Sequence, residues 1–331
     1  MESADKFKGL DVGTSRLVLA TMAGETPRYQ QQLNAFVSFP FSKMTERTLK
    51  EEDILHVVEG GKILAFGDRS DEFANMLGGT TRRPIASGLL NPQEPQNLQV
   101  TRLLIEHLCG TAQRGEKICF SVPNSPDSTG SDVVYHEESV AEILKDLGYE
   151  TSSVNEGQAI VFAALNDSHF TGIGMSFGGG LCNICVAYLG VPVVSFCTTR
   201  AGDYVDHKTA AAIGETPTTV RLYKESGEFA LDGHPSGRLD RALAIYYGDV
   251  IKHAVGRLEQ ELATTKRLPR LAQPMPVVVA GGSAEVKGFD GLLRRAIMAA
   301  DLPIEISVVE RASSGINTTA KGALLAAMLN M

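Results

Sequence analysis

Three glycine turns and two carboxylates are the parts of this sequence with chemistry to offer. Leu10 to Ser15 reads LDVGTS, Met175 to Asn183 reads MSFGGGLCN, and Val277 to Gly288 reads VVVAGGSAEVKG; each turn follows an apolar run of strand length. Glycine lets backbone N–H groups converge on a concavity and approach an anion with no Cβ in the way, so such turns suit phosphate. One alone is more simply a hairpin turn; three in one chain form a set. None is a G-x-x-x-x-G-K-[ST] loop, and none is a G-x-G-x-x-G opening a helix.

Asp11, beside the first turn, has two readings: an oxygen ligand for a hydrated Mg2+ ion, or a turn-capping Asp. Glu156 opens the helix-like SVNEGQAIVFAAL, where a carboxylate is also favoured by the helix dipole alone. Seven histidines are scattered with no i, i+4 pair, and G-x-S-x-G is absent, so neither a His-based metal site nor a serine-hydrolase elbow is expected. Cys182 and Cys185 form a C-x-x-C without a second Cys or His pair, which points to buried thiols rather than zinc.

The elements that must hold these residues fall into two halves. At 331 residues the chain has room for two lobes. Its 43% hydrophobic and 21% charged residues are those of a folded globular protein. Net charge is −8 with no Lys/Arg run longer than two, which argues against nucleic acid or anionic lipid as a main partner. An odd count of five cysteines inside apolar segments suits a reducing cytosol. No window has the length of a transmembrane span, and MESADKFKGL is expected to be neither a secretory leader nor an amphipathic anchor. KFKGLDVGTSRLVLATMAG reads as two strands joined by a tight turn, and GIGMSFGGGLCNICVAYLG repeats that theme, which suggests an internal duplication. Tyr29 to Asp68 reads as short strands and charged loops, Glu137 to Gly148 as an amphipathic helix, and His207 to Leu262 as helices with a break. GINTTAKGALLAAML reads as a helix with a small-residue face, suited to close packing at a hinge.

This set of turns resembles the actin-like ATPase superfamily, whose duplicated lobes hold nucleotide between two phosphate hairpins and an adenosine-side turn. Within it the chain is more similar to the bacterial filament branch of MreB and MamK, MamK above all. RRPIASGLLNPQEPQNLQVTRLLIEHL and TRAGDYVDHKTA carry that likeness, and RLYKESG is a looser match to the helix whose Glu meets the ribose. The resemblance implies an α/β fold of duplicated actin-like (ribonuclease H-like) lobes with four subdomains. Lobe I would be residues 1–153, with a small subdomain at about 30–80. Lobe II would be 154–331, with a small subdomain at about 202–272 and a C-terminal helix packing back on lobe I.

The resemblance further implies ATP or ADP with Mg2+ in the cleft. Asp11 would hold the metal and Glu156 would position water. Gly13, Thr14, Ser15, Ser176, Gly178, Gly179, Gly180, Gly202, Asp203, Glu225, Gly281, Gly282 and Ser283 would hold nucleotide. Ser176 stands where relatives carry an Asp, and Leu181-Cys182 stands for a frequent Thr-Thr, so slow or impaired hydrolysis is expected. Gly157 replaces a usual Pro and is expected to loosen the start of its helix. The implied function is a cytoplasmic cytoskeletal protein that polymerises with itself head to tail. An adaptor would link it to cargo such as magnetosomes, with no nucleic acid and no direct membrane insertion. The alternatives are a non-polymerising nucleotide-dependent scaffold that recruits a partner, and a small-molecule kinase, for which no spare substrate-binding region is visible.

Overall fold

The computed structural model describes residues 6–76, 81–125, 131–266, 268–269 and 273–329. The first half begins with β1 (Phe7–Val12), β2 (Arg16–Ala23) and β3 (Thr26–Leu33). There follow β4 (Phe36–Pro40), α1 (Lys43–Glu51), β5 (His56–Glu59), β6 (Lys62–Phe66), α2 (Ser70–Met76), and the short hairpin β7 (Ile85–Ala86) and β8 (Leu89–Leu90). α3 (Asn97–Cys109), β9 (Lys117–Val122), α4 (Ser131–Asp146) and β10 (Glu150–Asn155) complete it. α5 (Glu156–Ala164) leads to β11 (Gly172–Phe177), β12 (Cys182–Tyr188) and β13 (Val191–Thr198). Then come α6 (Gly202–Ile213), α7 (Pro217–Glu225), α8 (Arg238–Thr264), β14 (Met275–Ala280), α9 (Phe289–Ala299), β15 (Ile306–Arg311) and α10 (Thr318–Leu329).

The duplication is plain in the sheets. One runs β10-β9-β1-β2-β3 and the other β15-β14-β11-β12-β13. In each, the first three strands form an antiparallel meander and the remaining two join parallel beside the first strand. β1 thus corresponds to β11, and Gly9, Asp11 and Gly13 fall at the same spacing as Gly174, Ser176 and Gly178. Ser176 is the duplicate of Asp11.

Close packing explains two of those glycines. A Cβ on Gly9 would overlap the α10 backbone at Ala320 and Leu324, and one on Gly174 would overlap the carbonyl oxygen of Gly157 in α5. Each sheet therefore takes a helix directly against its first strand. α5 and α10 also pack on each other, with the small buried side of α10 (Ala320, Gly322, Ala323, Ala327) inside that layer. Gly157 has a packing reason of its own, since a Cβ there would lie 2.7 Å from the Cys185 backbone nitrogen.

The three-stranded sheet β4-β6-β5 has a separate core of Val37, Leu49, Ile54, Ile63 and Phe73. The strand before it, β3, pairs with β2 in the first sheet, and residues 77–80 lie outside the described residues. The pairing of β10 with β9 ends at Asn155.

Two expectations need correction. Residues 43–51 are a helix, not a charged loop. α1 buries only Leu49 and is capped by Ser42, with Lys50–Glu46 and Arg47–Glu51 pairs at helical spacing, so its apolar periodicity is nearly absent. The helix expected from Glu137 begins at Ser131. Its first turns leave Val134 and Tyr135 exposed, so no buried apolar stripe marks them.

In the second half, Phe177 at the end of β11 meets Phe289 edge-on with ring centroids 4.9 Å apart, and Tyr247 meets Phe289 at 6.0 Å. Such aromatic pairs add about 0.5–1.5 kcal/mol each beyond burial. They anchor the strand end that carries the second glycine turn.

Candidate functional site

The first turn is a tight hairpin closed by Gly13 N–H donating to Arg16 O at 3.1 Å. Asp11 sits at its base, where Ser121 of β9 donates its hydroxyl to Oδ1 at 2.7 Å and accepts from Val12 N–H at 3.2 Å. Asn34 Nδ2 holds Gly13 O at 2.9 Å. Thr14 is buried, and its hydroxyl oxygen accepts Gly88 N–H at 2.9 Å.

The second turn closes the same way, with Gly178 N–H donating to Leu181 O at 3.0 Å. It faces the first so closely that a Cβ on Gly179 would stand 2.5 Å from Ser15 Oγ. The start of α6 braces it from behind: Gly202 N–H donates to Gly178 O at 3.1 Å and Asp203 N–H to Gly179 O at 2.8 Å. Those two N–H groups are therefore already engaged. The third turn contributes Ser283, whose hydroxyl donates to Gly178 O at 2.8 Å. Gly281 has φ +99° and lies on the Phe177 backbone, a position closed to any side chain.

Glu156 opens α5, capped by Asn155, whose Oδ1 accepts Gly157 N–H at 3.0 Å. Its Oε2 accepts Ser176 Oγ at 3.2 Å and Asn183 Nδ2 at 3.0 Å. Burial, followed by the nearby Asp11 charge, pushes the Glu156 carboxyl above its ordinary range against the two donors. Burial also raises Asp11, opposed by Ser121. Two carboxylates that penalise each other's charge suit a cation between them. Among the described residues no group of three or more His, Cys, Asp or Glu gathers, so a closed protein cage is not built. One or two carboxylates with hydroxyls fit Mg2+, which keeps waters and takes its remaining ligands from phosphate.

All fifteen predicted site residues line one cavity of about 520 Å³. Asp11, Glu156 and Ser176 line it together with the two hairpins, and its lining also includes Lys224, Glu225, Phe229 and Lys287. Lys224 pairs with Asp206 at 2.7 Å, both nearly buried; burial raises the Asp206 carboxyl and Lys224 opposes that shift. Two ion pairs tie residues 71–83 to α6 and α7: Arg83 to Asp203 and Arg221 to Asp71, each at 3.3 Å. Sequence reasoning missed Ser121, Asn183 and Arg83. Only Asn183 had a usable signal, because the hairpin register sets it opposite Ser176.

The profile of a family described as Volactin matches residues 7–327. The chain belongs to the Volactin family. A MamK-like protein of Paramagnetospirillum magneticum is 24% identical over 240 residues, 69% of this Volactin-family chain and 63% of that protein. Actin-like protein MamK of Magnetospirillum gryphiswaldense is 24% identical over 220 residues, 65% and 55% of the two chains. The match thus spans less than two-thirds of either relative's length. Among solved structures, the MamK double helical filament superposes with TM-score 0.69 at 18% identity, over 97% of this chain and 98% of that one. MreB5 of Spiroplasma citri bound to AMPPNP gives TM-score 0.67 at 14% identity, over 96% and 94%. The fold is the actin-like one, and the expected likeness to the MreB and MamK branch holds.

Proposed function

We propose that this protein is a cytoplasmic actin-like filament subunit that binds ATP with Mg2+ in its interlobe cleft, polymerises head to tail, and hydrolyses ATP slowly. One observation carries the reading: three glycine turns and two carboxylates from both halves of a duplicated fold open onto a single cavity. Neighbours solved with AMPPNP or ADP support nucleotide as the ligand, and the MamK filament supports a polymer. A head-to-tail contact that does not close gives a filament. In this reading the lobes are 1–153 and 154–331, with small subdomains at about 30–80 and 202–272. Cargo is reached through an adaptor in this reading; no helix among the described residues is long and apolar enough to cross a membrane.

The hairpin N–H groups with Thr14 and Ser15 hold the phosphates. Gly281, Gly282 and Ser283 face the adenosine side, Glu225 the ribose, and Gly202 and Asp203 brace the second hairpin. Asp11 holds Mg2+, which when bound neutralises charge on the phosphate oxygens. Glu156 receives both its hydrogen bonds on Oε2. Oε1 therefore orients a water and takes its proton as the water oxygen bonds to the γ-phosphorus and the bridging bond to ADP breaks. Ser176 adds a neutral hydroxyl where its duplicate, Asp11, has a carboxylate, and this slows the reaction.

Phosphate release from Mg-ATP, followed together with sedimentation over a range of protein concentration, tests the proposal. Release that rises above a threshold concentration, with pelletable polymer, is expected. A second reading, a non-polymerising scaffold, is favoured by Ser176 and by the two ion pairs across the cleft. It predicts retained ATP with no pellet at any concentration.

A further inference from the structure

Just past the end of β9, Asn124 reaches the second sheet. It uses every polar group it has on β12 and β13. Its backbone N–H donates to Asn183 Oδ1 at 2.8 Å, and its Nδ2 donates to Phe196 O at 2.9 Å. Its Oδ1 accepts Ser195 Oγ at 2.9 Å, and its carbonyl accepts Cys197 Sγ at 3.3 Å. No other residue of the first half is tied to the second by four such bonds among those described.

Asn183 has no exposed surface, so its amide must find both partners inside the protein. A backbone N–H can only donate. Asn124 therefore obliges Asn183 to present Oδ1 to it, which turns Nδ2 toward Glu156 Oε2 at 3.0 Å. Withdrawal of Asn124 leaves a buried acceptor unpaired and removes the reason for that orientation.

We infer that Asn124 is a positioning residue: through Asn183 it makes the aim of the Glu156 carboxylate depend on the docking of lobe I against lobe II. The inference rests on the proposed ATP hydrolysis. Opening of the lobes misdirects Glu156, and closure around nucleotide restores it, so hydrolysis is restricted to the closed form without any change in the residues that hold phosphate.

The test uses the full chain with Asn124→Ala, Asn124→Asp, Asn183→Leu and the Asn124→Ala/Asn183→Leu double variant. Asn124→Ala keeps the backbone N–H but removes the two side-chain bonds to Phe196 and Ser195 that hold it against Asn183, so it is expected to lower kcat about tenfold while KM and the affinity for a fluorescent ATP analogue stay within about twofold, the pattern of a misaimed group. Asn124→Asp, which keeps the acceptor for Ser195, recovers part of the loss. In the Asn183→Leu background Asn124→Ala costs nothing further, because the relay is already cut. Wild-type kcat in Asn124→Ala, or an equal further loss in the double variant, overturns the inference. Absence of hydrolysis in the wild type overturns the proposed function instead. Amide exchange gives a readout independent of turnover: the Asn124 N–H is slow in the wild type and exchanges faster in Asn183→Leu. An unchanged exchange rate shows that the bond does not exist and overturns the relay whatever the activity.

Discussion

Arg83 Nη1 stands 3.3 Å from Asp203 Oδ1 and 3.4 Å from Ser15 Oγ, so one guanidinium joins the first hairpin, the start of α6 and the segment that leads to β7. Arg221 and Asp71 make a second such tie at 3.3 Å. Both connect parts that must separate if the cleft is to open.

Arg83→Ala should therefore speed nucleotide release. The pair is partly exposed, so screening limits it to about 0.5–1 kcal/mol, or roughly two- to fivefold in off-rate. Stopped-flow displacement of a fluorescent nucleotide measures this. The effect should shrink with added salt and be smaller in an Asp203→Ala background, where only the Ser15 contact is left; equal effects in both backgrounds would mean that Arg83 acts elsewhere.

Ser176→Asp places a third carboxylate beside Glu156 and Asp11. Without divalent cation it should destabilise the fold by about 3 kcal/mol, the scale of a buried charge lacking a partner. Mg2+ with ATP should reverse the loss and raise hydrolysis above wild type. Thermal unfolding with and without Mg2+ checks the first part and phosphate release the second. Indifference of the melting temperature to metal would remove the cation from this end of the cleft.

The α5–α10 layer makes opposite predictions for two glycines. A Cβ on Gly322 would overlap the Ala159 carbonyl oxygen, and nothing lies within 4 Å of one on Gly248 in α8. Gly322→Ala should destabilise by about 1–3 kcal/mol or more. Gly248→Ala should stabilise by up to about 1 kcal/mol. Urea unfolding curves of the two variants decide the matter, and a stable Gly322→Ala would mean that the helices can separate at little cost.

His136 on α4 is fully buried with both ring nitrogens unpartnered among the described residues, and burial pushes its pKa down to about 4. Above the unfolded value near 6.5 both states are neutral at this site and it contributes nothing; as pH falls from there toward 4, the unfolded chain takes a proton that the native one refuses. The native state should lose about 2 kcal/mol by pH 5 from this group. His136→Leu should flatten that part of the profile in urea titrations at pH 5 and 7.5. A wild-type and variant difference that does not change with pH would show that the imidazole finds a partner on protonation.

Much of this site was legible because glycine turns are local. A strand, a glycine and a second strand lie within a few residues of one another, and the backbone geometry they need is encoded there, so the three turns could be read before any fold was known. Asp11 and Glu156 stood next to such signals, and the repeat of Gly9, Asp11 and Gly13 as Gly174, Ser176 and Gly178 lay open to inspection. α1 escaped because its cap and ion pairs do not repeat as apolar residues do. Ser121, Arg83 and Asn124 are a different case. Their partners are 110, 120 and 59 positions away along the chain. Whether a serine touches Asp11, or an asparagine of one lobe reaches Asn183 in the other, is decided by strand order and by how closely α5 and α10 let the sheets approach. No local period carries that information; only the packed layers do.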